Sequence, residues 1–303
     1  MTVRAVISIG TNSTRLLVAD VAVGQIPRIV AARSIGTRIG EGLGDAGLLN
    51  GEAMRRTLEA VREHAAAAKQ FVPQVCAIST SALRRARNGS EFSEAVRTIC
   101  GAPLHIIAGD EEARLSFAGA VAALDPHGSY GVFDSGGGSS EYAVGPHGRV
   151  ESSTSIEIGA VRLTERVPEL TGDPTATDGA AITRARAIAS AALAPLAGFP
   201  RVDHLVLVGG SATTAASMLI GSREPFERFS LGRHDLARSI ARIAGLPLAG
   251  RRRVAGLNPQ RADILLGGLL ILEIALELCK HEAAIVSAND LLLGYLLDGS
   301  AHV

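Results

Sequence analysis

The sequence predicts an α/β protein of two related domains, and three observations predict it. Apolar strand-like runs alternate with amphipathic helical stretches, and a strand, glycine turn, strand unit occurs twice in similar contexts. The chain is also 303 residues long, more than one domain usually holds. A composition of 47% hydrophobic and 20% charged residues fits such a protein.

The first half opens with strands over 3–18, folded as a hairpin around Ser8-Ile9-Gly10-Thr11-Asn12-Ser13, and a further strand over 29–34. Residues 51–70 are Ala-, Glu- and Arg-rich with helical periodicity, and 74–78 form a short apolar strand. Helices are expected over 82–88 and 90–100, a strand over 104–107 and a helix over 111–123. Asp125-Pro126-His127-Gly128-Ser129 is a turn cluster at which the domains divide, giving 1–125 and 126–303, with the last helix free to pack back on the first domain.

The pattern then restarts. Strands over 131–133 and 141–144 flank Asp134-Ser135-Gly136-Gly137-Gly138-Ser139-Ser140-Glu141, followed by a strand over 150–157 and a helix over 159–165. A longer helix over 180–194 ends at Pro195, and a buried strand over 205–208 meets Gly209-Gly210-Ser211, which opens another helix. The remainder reads as helical, with 264–278 apolar nearly all round and therefore core. Arg251, Arg252 and Arg253 read as a solvated face.

Charge and cysteine usage exclude several classes. The formal net charge is zero, which gives no overall field for a nucleic acid or membrane surface, so any anion site is local. The longest apolar run, 264–272, is too short to span a bilayer, and no signal-peptide pattern opens the chain, so a cytoplasmic protein is expected. Cys76, Cys100 and Cys279 are far apart and read as buried thiols, and the eight histidines lack metal-ligand spacing.

The two glycine loops carry the chemistry. Glycine lets the backbone approach a ligand closely, so that successive N–H groups can point at one anion while Ser, Thr and Asn side chains add donors. The strand after each loop excludes a Walker-type site, which needs a helix and a Gly-Lys-Ser/Thr ending. The third glycine turn, at Gly209, Gly210 and Ser211, serves either a ligand or helix capping with tight packing. Asp110, Glu111 and Glu112 read as an N-cap followed by first-turn acids; beside phosphate loops, such a carboxylate can also orient and deprotonate a water. Arg84 follows a buried strand, where it can hold phosphate oxygens.

These loops resemble the exopolyphosphatase/guanosine pentaphosphate phosphohydrolase family, with further motifs in family order from about residue 5 to 297. They are Thr80-Ser81-Ala82-Leu83-Arg84, Gly109-Asp110-Glu111-Glu112-Ala113-Arg114-Leu115, Gly159-Ala160-Val161-Arg162-Leu163-Thr164-Glu165, Gly209-Gly210-Ser211-Ala212-Thr213-Thr214, Arg261-Ala262-Asp263 and Val286-Ser287. The resemblance implies two actin-like α/β domains of the sugar kinase/Hsp70 ATPase superfamily with an interdomain cleft. It also implies metal-assisted removal of terminal phosphate from inorganic polyphosphate or from guanosine pentaphosphate (pppGpp). Position by position, it makes Glu112 the catalytic base and Arg84 a phosphate-facing arginine. Phosphate contacts fall to Gly10, Thr11, Asn12, Ser13 and Arg15 in the first loop region and to Gly136, Gly137, Gly138, Ser139 and Ser140 in the second. Asp134 and Glu141 become the acids that serve Mg²⁺ or Mn²⁺.

One departure bears on the metal. The family pattern has Asp where this chain has Ser8, and a hydroxyl is a poorer Mg²⁺ ligand than a carboxylate. Weakened or rearranged metal use is therefore expected, and a non-catalytic polyphosphate or alarmone sensor is the reading from another class. Homodimerisation is the base-rate expectation for the assembly.

Overall fold

The structure, a computed structural model, describes residues 2–22, 27–44, 46–172, 179–226 and 228–298. The chain divides into two compact units, Met1–Leu124 with Asn289–Val303 and Asp125–Ala288.

In the first unit, β1 (Thr2–Ile9), β2 (Thr14–Val21) and β3 (Arg28–Ile35) form an antiparallel meander. There follow α1 (Gly51–Ala68), β4 (Cys76–Ser79), α2 (Ser81–Arg85), α3 (Gly89–Cys100), β5 (Leu104–Ile106) and α4 (Gly109–Val121). The sheet order is β3-β2-β1-β4-β5, with β4 parallel to β1 and β5 parallel to β4. Asn50 starts α1 by accepting the N–H groups of Glu52 and Ala53, and Gly101 ends α3 with φ +77°, a conformation glycine adopts without a Cβ penalty.

The second unit repeats the plan. Its elements are β6 (Ser129–Ser135), β7 (Ser140–Pro146), β8 (Ser152–Ile156), α5 (Ala160–Arg166), α6 (Gly179–Leu193), β9 (His204–Val208), α7 (Gly210–Ile220), β10 (Arg228–Gly232), α8 (Arg233–Ala244), α9 (Leu248–Arg251), α10 (Leu265–Leu278) and β11 (Ala283–Ser287). Its sheet order is β10-β11-β9-β6-β7-β8. Read from the meander edge, β8-β7-β6-β9-β11 matches β3-β2-β1-β4-β5 in order and direction, with β10 added antiparallel at the far edge. The chain's last helix, α11 (Leu291–Leu297), belongs to the first unit.

Periodicity decides which face each element buries. In the first unit Ile7, Ile9, Leu16 and Val18 pack with Val61 of α1 and Val96 of α3 on one side of the sheet. Val6, Leu17 and Ile78 pack with Leu115 of α4 and Leu293 of α11 on the other. The two helices on that second side touch through glycines: a Cβ at Gly294 would lie 1.8 Å from the Leu115 carbonyl oxygen, and one at Gly119 2.0 Å from that of Asp290. In the second unit α10 is buried nearly all round, as its largely apolar sequence requires, with Glu273 half-buried and Glu277 exposed.

Several elements depart from the sequence expectation. The helix expected over 82–88 stops at Arg85, because Ala86 is extended and the Asn88 side chain is committed to the backbone N–H and C=O of Leu49. The segment after α7 is not all helical: β10 and β11 complete the second sheet. Asp110 is not an N-cap, since α4 starts at Gly109 behind Ala108, so the three acids form its first turn. Cys76 is half-buried, while Cys100 and Cys279 are buried. Arg251 is not solvated but fully buried, donating from Nε to the carbonyls of Ile243 (2.8 Å) and Leu246 (3.1 Å) and from its terminal nitrogen to that of Leu170 (2.6 Å). Among the described residues no helix is long and apolar enough to cross a membrane.

Candidate active site

Each glycine loop is a tight turn closing a hairpin. The Gly10 N–H donates to the Ser13 carbonyl at 3.0 Å, and the Gly136 N–H donates to the Ser139 carbonyl at the same distance. Behind each loop a second segment anchors its carbonyls. The Thr11 carbonyl accepts the Gly40 N–H (3.0 Å), and the Asn12 carbonyl accepts those of Thr37 (3.2 Å) and Arg38 (3.0 Å). In the second unit the Gly136 carbonyl accepts the Ala160 N–H (3.0 Å), and the Gly137 carbonyl those of Val161 (2.9 Å) and Arg162 (3.2 Å), which also satisfies the first turn of α5.

A trans peptide points its C=O and N–H in opposite directions. With the carbonyls of Thr11 and Asn12 turned inward, the N–H groups of Asn12 and Ser13 point away from the backing segment. Those of Gly137 and Gly138 do the same in the second unit. Each loop therefore presents successive N–H donors on one side, the arrangement that takes an anion.

The glycine at 159 is enforced by this packing, since a Cβ there would lie 2.5 Å from the Gly137 carbonyl carbon. The side chains of the loops are placed differently. The Ser140 hydroxyl donates to the Ile158 carbonyl at 2.7 Å and is fully buried. Among the described residues the Asn12 carboxamide oxygen, buried inside the first loop, has no hydrogen-bond partner.

His64 of α1 supports the first hairpin from below. Its Nε2 lies 3.2 Å from the Thr14 carbonyl, and the Thr14 hydroxyl bonds that of Thr37 at 2.9 Å. Burial pushes the His64 imidazole below its ordinary value. The native state therefore resists a proton that the unfolded chain takes up near pH 6.5, so stability is lost as pH falls below that value. We expect thermal unfolding between pH 7 and 5 to show this loss, and His64→Gln to remove its share, up to about 1.4 kcal/mol per pH unit.

Glu112 lies in the first turn of α4 and is 6% exposed. Arg84, in the last turn of α2 directly after β4, donates to its Oε2 at 2.5 Å and to the Ile107 carbonyl at 3.0 Å. The Ile107 bond ties the guanidinium to the end of the β5 segment, so one carboxylate is held in a fixed direction with its charge balanced. The helix N-terminus adds a favourable dipole.

Across the second sheet, Val208, Asp134, Glu141 and Ser155 form one row on the face opposite Phe133 and Tyr142. Asp134 and Glu141 are directly opposed cross-strand neighbours, both buried, and Glu141 accepts the Ser155 hydroxyl at 2.8 Å. The third glycine turn closes on the same row. Gly209 has φ +90°, and a Cβ there would lie 2.9 Å from Asp134 Oδ1, so only glycine fits. Gly210 lies under the Arg261 guanidinium, whose Cζ would be 2.0 Å from a Cβ, and the Ser211 hydroxyl packs against Gly268 of α10. All three residues are thus in tight packing contact.

The sequence profile of the Ppx/GppA phosphatase family matches residues 17–299. The chain belongs to that family. It is 33% identical over 315 residues to exopolyphosphatase 2 of Mycobacterium tuberculosis, covering 97% of each chain. Among solved structures it is similar to the Aquifex aeolicus Ppx/GppA enzyme, with 28% identity, a TM-score of 0.80 and 98% and 99% of the two chains covered. It is also similar to an exopolyphosphatase from Cytophaga hutchinsonii, with 26% identity, a TM-score of 0.87 and 98% of each chain covered. The fold is therefore the actin-like two-domain α/β fold, and the protein is a hydrolase acting on phosphoanhydride bonds.

Ppx/GppA phosphatases use divalent metals, and the donor set fits one. Mg²⁺ is typically held by one or two carboxylates, with waters and substrate phosphates completing its octahedron. The Asp134–Glu141 pair supplies two hard oxygen donors on one face of the second sheet. Among the described residues no group of three or more His, Cys, Asp or Glu forms a metal cage.

Two features of the site were not read from sequence. Asp290 pairs with Arg15, and Arg261 covers Gly210. Asn289-Asp290 ahead of the apolar run 291–297 is a helix-start signature that could have disclosed the first half of Asp290's role.

Proposed function

We propose that the protein is an exopolyphosphatase that removes the terminal phosphate of inorganic polyphosphate. The observation that carries this reading is the buried Glu112 carboxylate, held at 2.5 Å by Arg84 in the first turn of α4. A carboxylate so fixed can orient a water and accept its proton as the water oxygen attacks the terminal phosphorus. The P–O bond to the next phosphate breaks, its electron pair stays on the bridging oxygen of the shortened chain, and the terminal phosphoryl group leaves with the new oxygen as orthophosphate. Loop N–H groups hold phosphate oxygens, as does Arg84, and a fixed donor of this kind stabilises charge developing on the transferring group. Asp134 and Glu141 would hold Mg²⁺ or Mn²⁺, which when bound neutralises phosphate charge. The similarity to exopolyphosphatase 2 over 97% of both chains supports polyphosphate as the substrate class.

The neutral Ser8 hydroxyl, buried at 2% exposure in the row that carries Asp134 in the second unit, favours one further reading, a sensor that binds polyphosphate or pppGpp without efficient turnover. Supplying long-chain polyphosphate and pppGpp at equal terminal-phosphate concentration separates the readings. We expect faster orthophosphate release from polyphosphate. Preference for pppGpp would make the protein an alarmone phosphatase, and tight binding with no release under Mg²⁺ or Mn²⁺ would make it a sensor.

A further inference from the structure

Superposing the two units by topology equates Ser8 with Asp134 and Arg15 with Glu141, because each pair sits at the same offset from the Gly10 and Gly136 turns. The second unit's row reads Val208, Asp134, Glu141, Ser155, and the first unit's reads Ile78, Ser8, Arg15, Ser34. Where the second unit has two carboxylates, the first has a hydroxyl and a guanidinium at the equivalent places. The sign of the charge is reversed, so the second row suits a cation and the first suits an anion.

Arg15 has no acid beside it on β1, and it finds one on α11. Asp290 receives the Arg15 guanidinium on Oδ2 and caps α11 by accepting the Leu292 N–H on Oδ1 at 3.1 Å. Asp290 is 6% exposed, and its carbonyl is pressed against Gly119 of α4. A carboxylate held at the start of a packed helix cannot swing, so its ion pair fixes the arginine.

We propose that Asp290 is a positioning residue that holds Arg15 ready to bind phosphate beside the first loop, doing from α11 what a carboxylate at position 8 would do from β1. This rests on the reading of that loop as a phosphate clamp. A flexible arginine must surrender many rotamers to grip a phosphate, and prior fixation removes that cost. The pair also neutralises Arg15, which opposes anion binding. Arg15 is 31% exposed, so water screens that opposing effect and fixation prevails.

The test is calorimetric binding of tripolyphosphate with Mg²⁺, all variants being built on Glu112→Gln so that turnover does not intrude. Asp290→Asn keeps a cap acceptor for the Leu292 N–H and removes the charge. We expect it to weaken binding about tenfold, the size of one hydrogen bond to a charged group. In the Arg15→Gln background the same change should have no further effect, and adding Ser8→Asp to Asp290→Asn should restore most of the affinity with Arg15 present and none with Arg15→Gln. A merely structural role for Asp290 would show neither result. Equal or tighter binding by Asp290→Asn, or the same loss with Arg15 absent, would overturn the inference while leaving the phosphate clamp standing. No binding of tripolyphosphate by the Glu112→Gln protein itself would overturn the clamp and this inference together.

Discussion

Glu112→Gln is expected to lower phosphate release by at least about a hundredfold, the lower end of what a positioned general base contributes. Glutamine matches glutamate in shape and can still accept a hydrogen bond from Arg84, so the first turn of α4 keeps its packing. It cannot take the proton from the attacking water. Some stability should be lost, because a charge-assisted bond of 2.5 Å becomes a neutral one, at a cost of about 1–2 kcal/mol. Turnover assay, tripolyphosphate binding and thermal unfolding together check this: turnover collapses, binding persists, and the melting temperature moves by only a few degrees. Turnover close to that of the parent would remove Glu112 from the mechanism.

Arg251→Met should destabilise the second unit by about 3 kcal/mol. The guanidinium is fully buried and burial pushes it down to about 10, so the fold bears the cost of a desolvated cation at neutral pH. That cost is offset by three backbone carbonyls, from Ile243, Leu246 and Leu170, which receive its N–H groups. Methionine fills much of the volume but donates nothing, and at least the carbonyls of Leu246 and Leu170 lose the donor they have from Arg251. Urea unfolding followed by a probe in the second unit measures the effect. A solvated arginine would give a change within about 0.5 kcal/mol, and that result would contradict the buried staple.

Much of this molecule was legible in its sequence because the signals are local. The two glycine turns lie between apolar strands, and a hairpin with such a turn closes within a few residues, so both loops and the repeated sheet could be read directly. Glu112 and Arg84 could be read individually, since each follows a strand end, but their pairing depends on β4 and β5 lying side by side. Where the reading failed, the determinants are distant or masked. β11 is a five-residue run close behind the largely apolar α10, and periodicity cannot separate a short buried strand from the end of such a helix. Arg251 stands in a run of three arginines that resembles a wet surface, yet α9 turns it toward carbonyls of segments up to 81 residues away in sequence. Asp290 meets Arg15 across 275 residues, a contact no window of sequence contains.

The duplicated loops gain significance from their difference. Both turns present N–H donors in the same way, and both are backed by a segment that takes their carbonyls. The rows beneath them carry opposite charge, and under the proposed function the first holds phosphate and the second a cation. Ser8 therefore need not mark a damaged site. Arg15, its cross-strand neighbour, is already paired with Asp290.

The measurement that tests the central claim most directly is the release of orthophosphate from long-chain polyphosphate by the purified protein, followed over time with Mg²⁺, with Mn²⁺ and with chelator. Steady release with either metal, abolished by chelator, is the predicted result. Tight binding of the same polyphosphate with no release under either metal would contradict it.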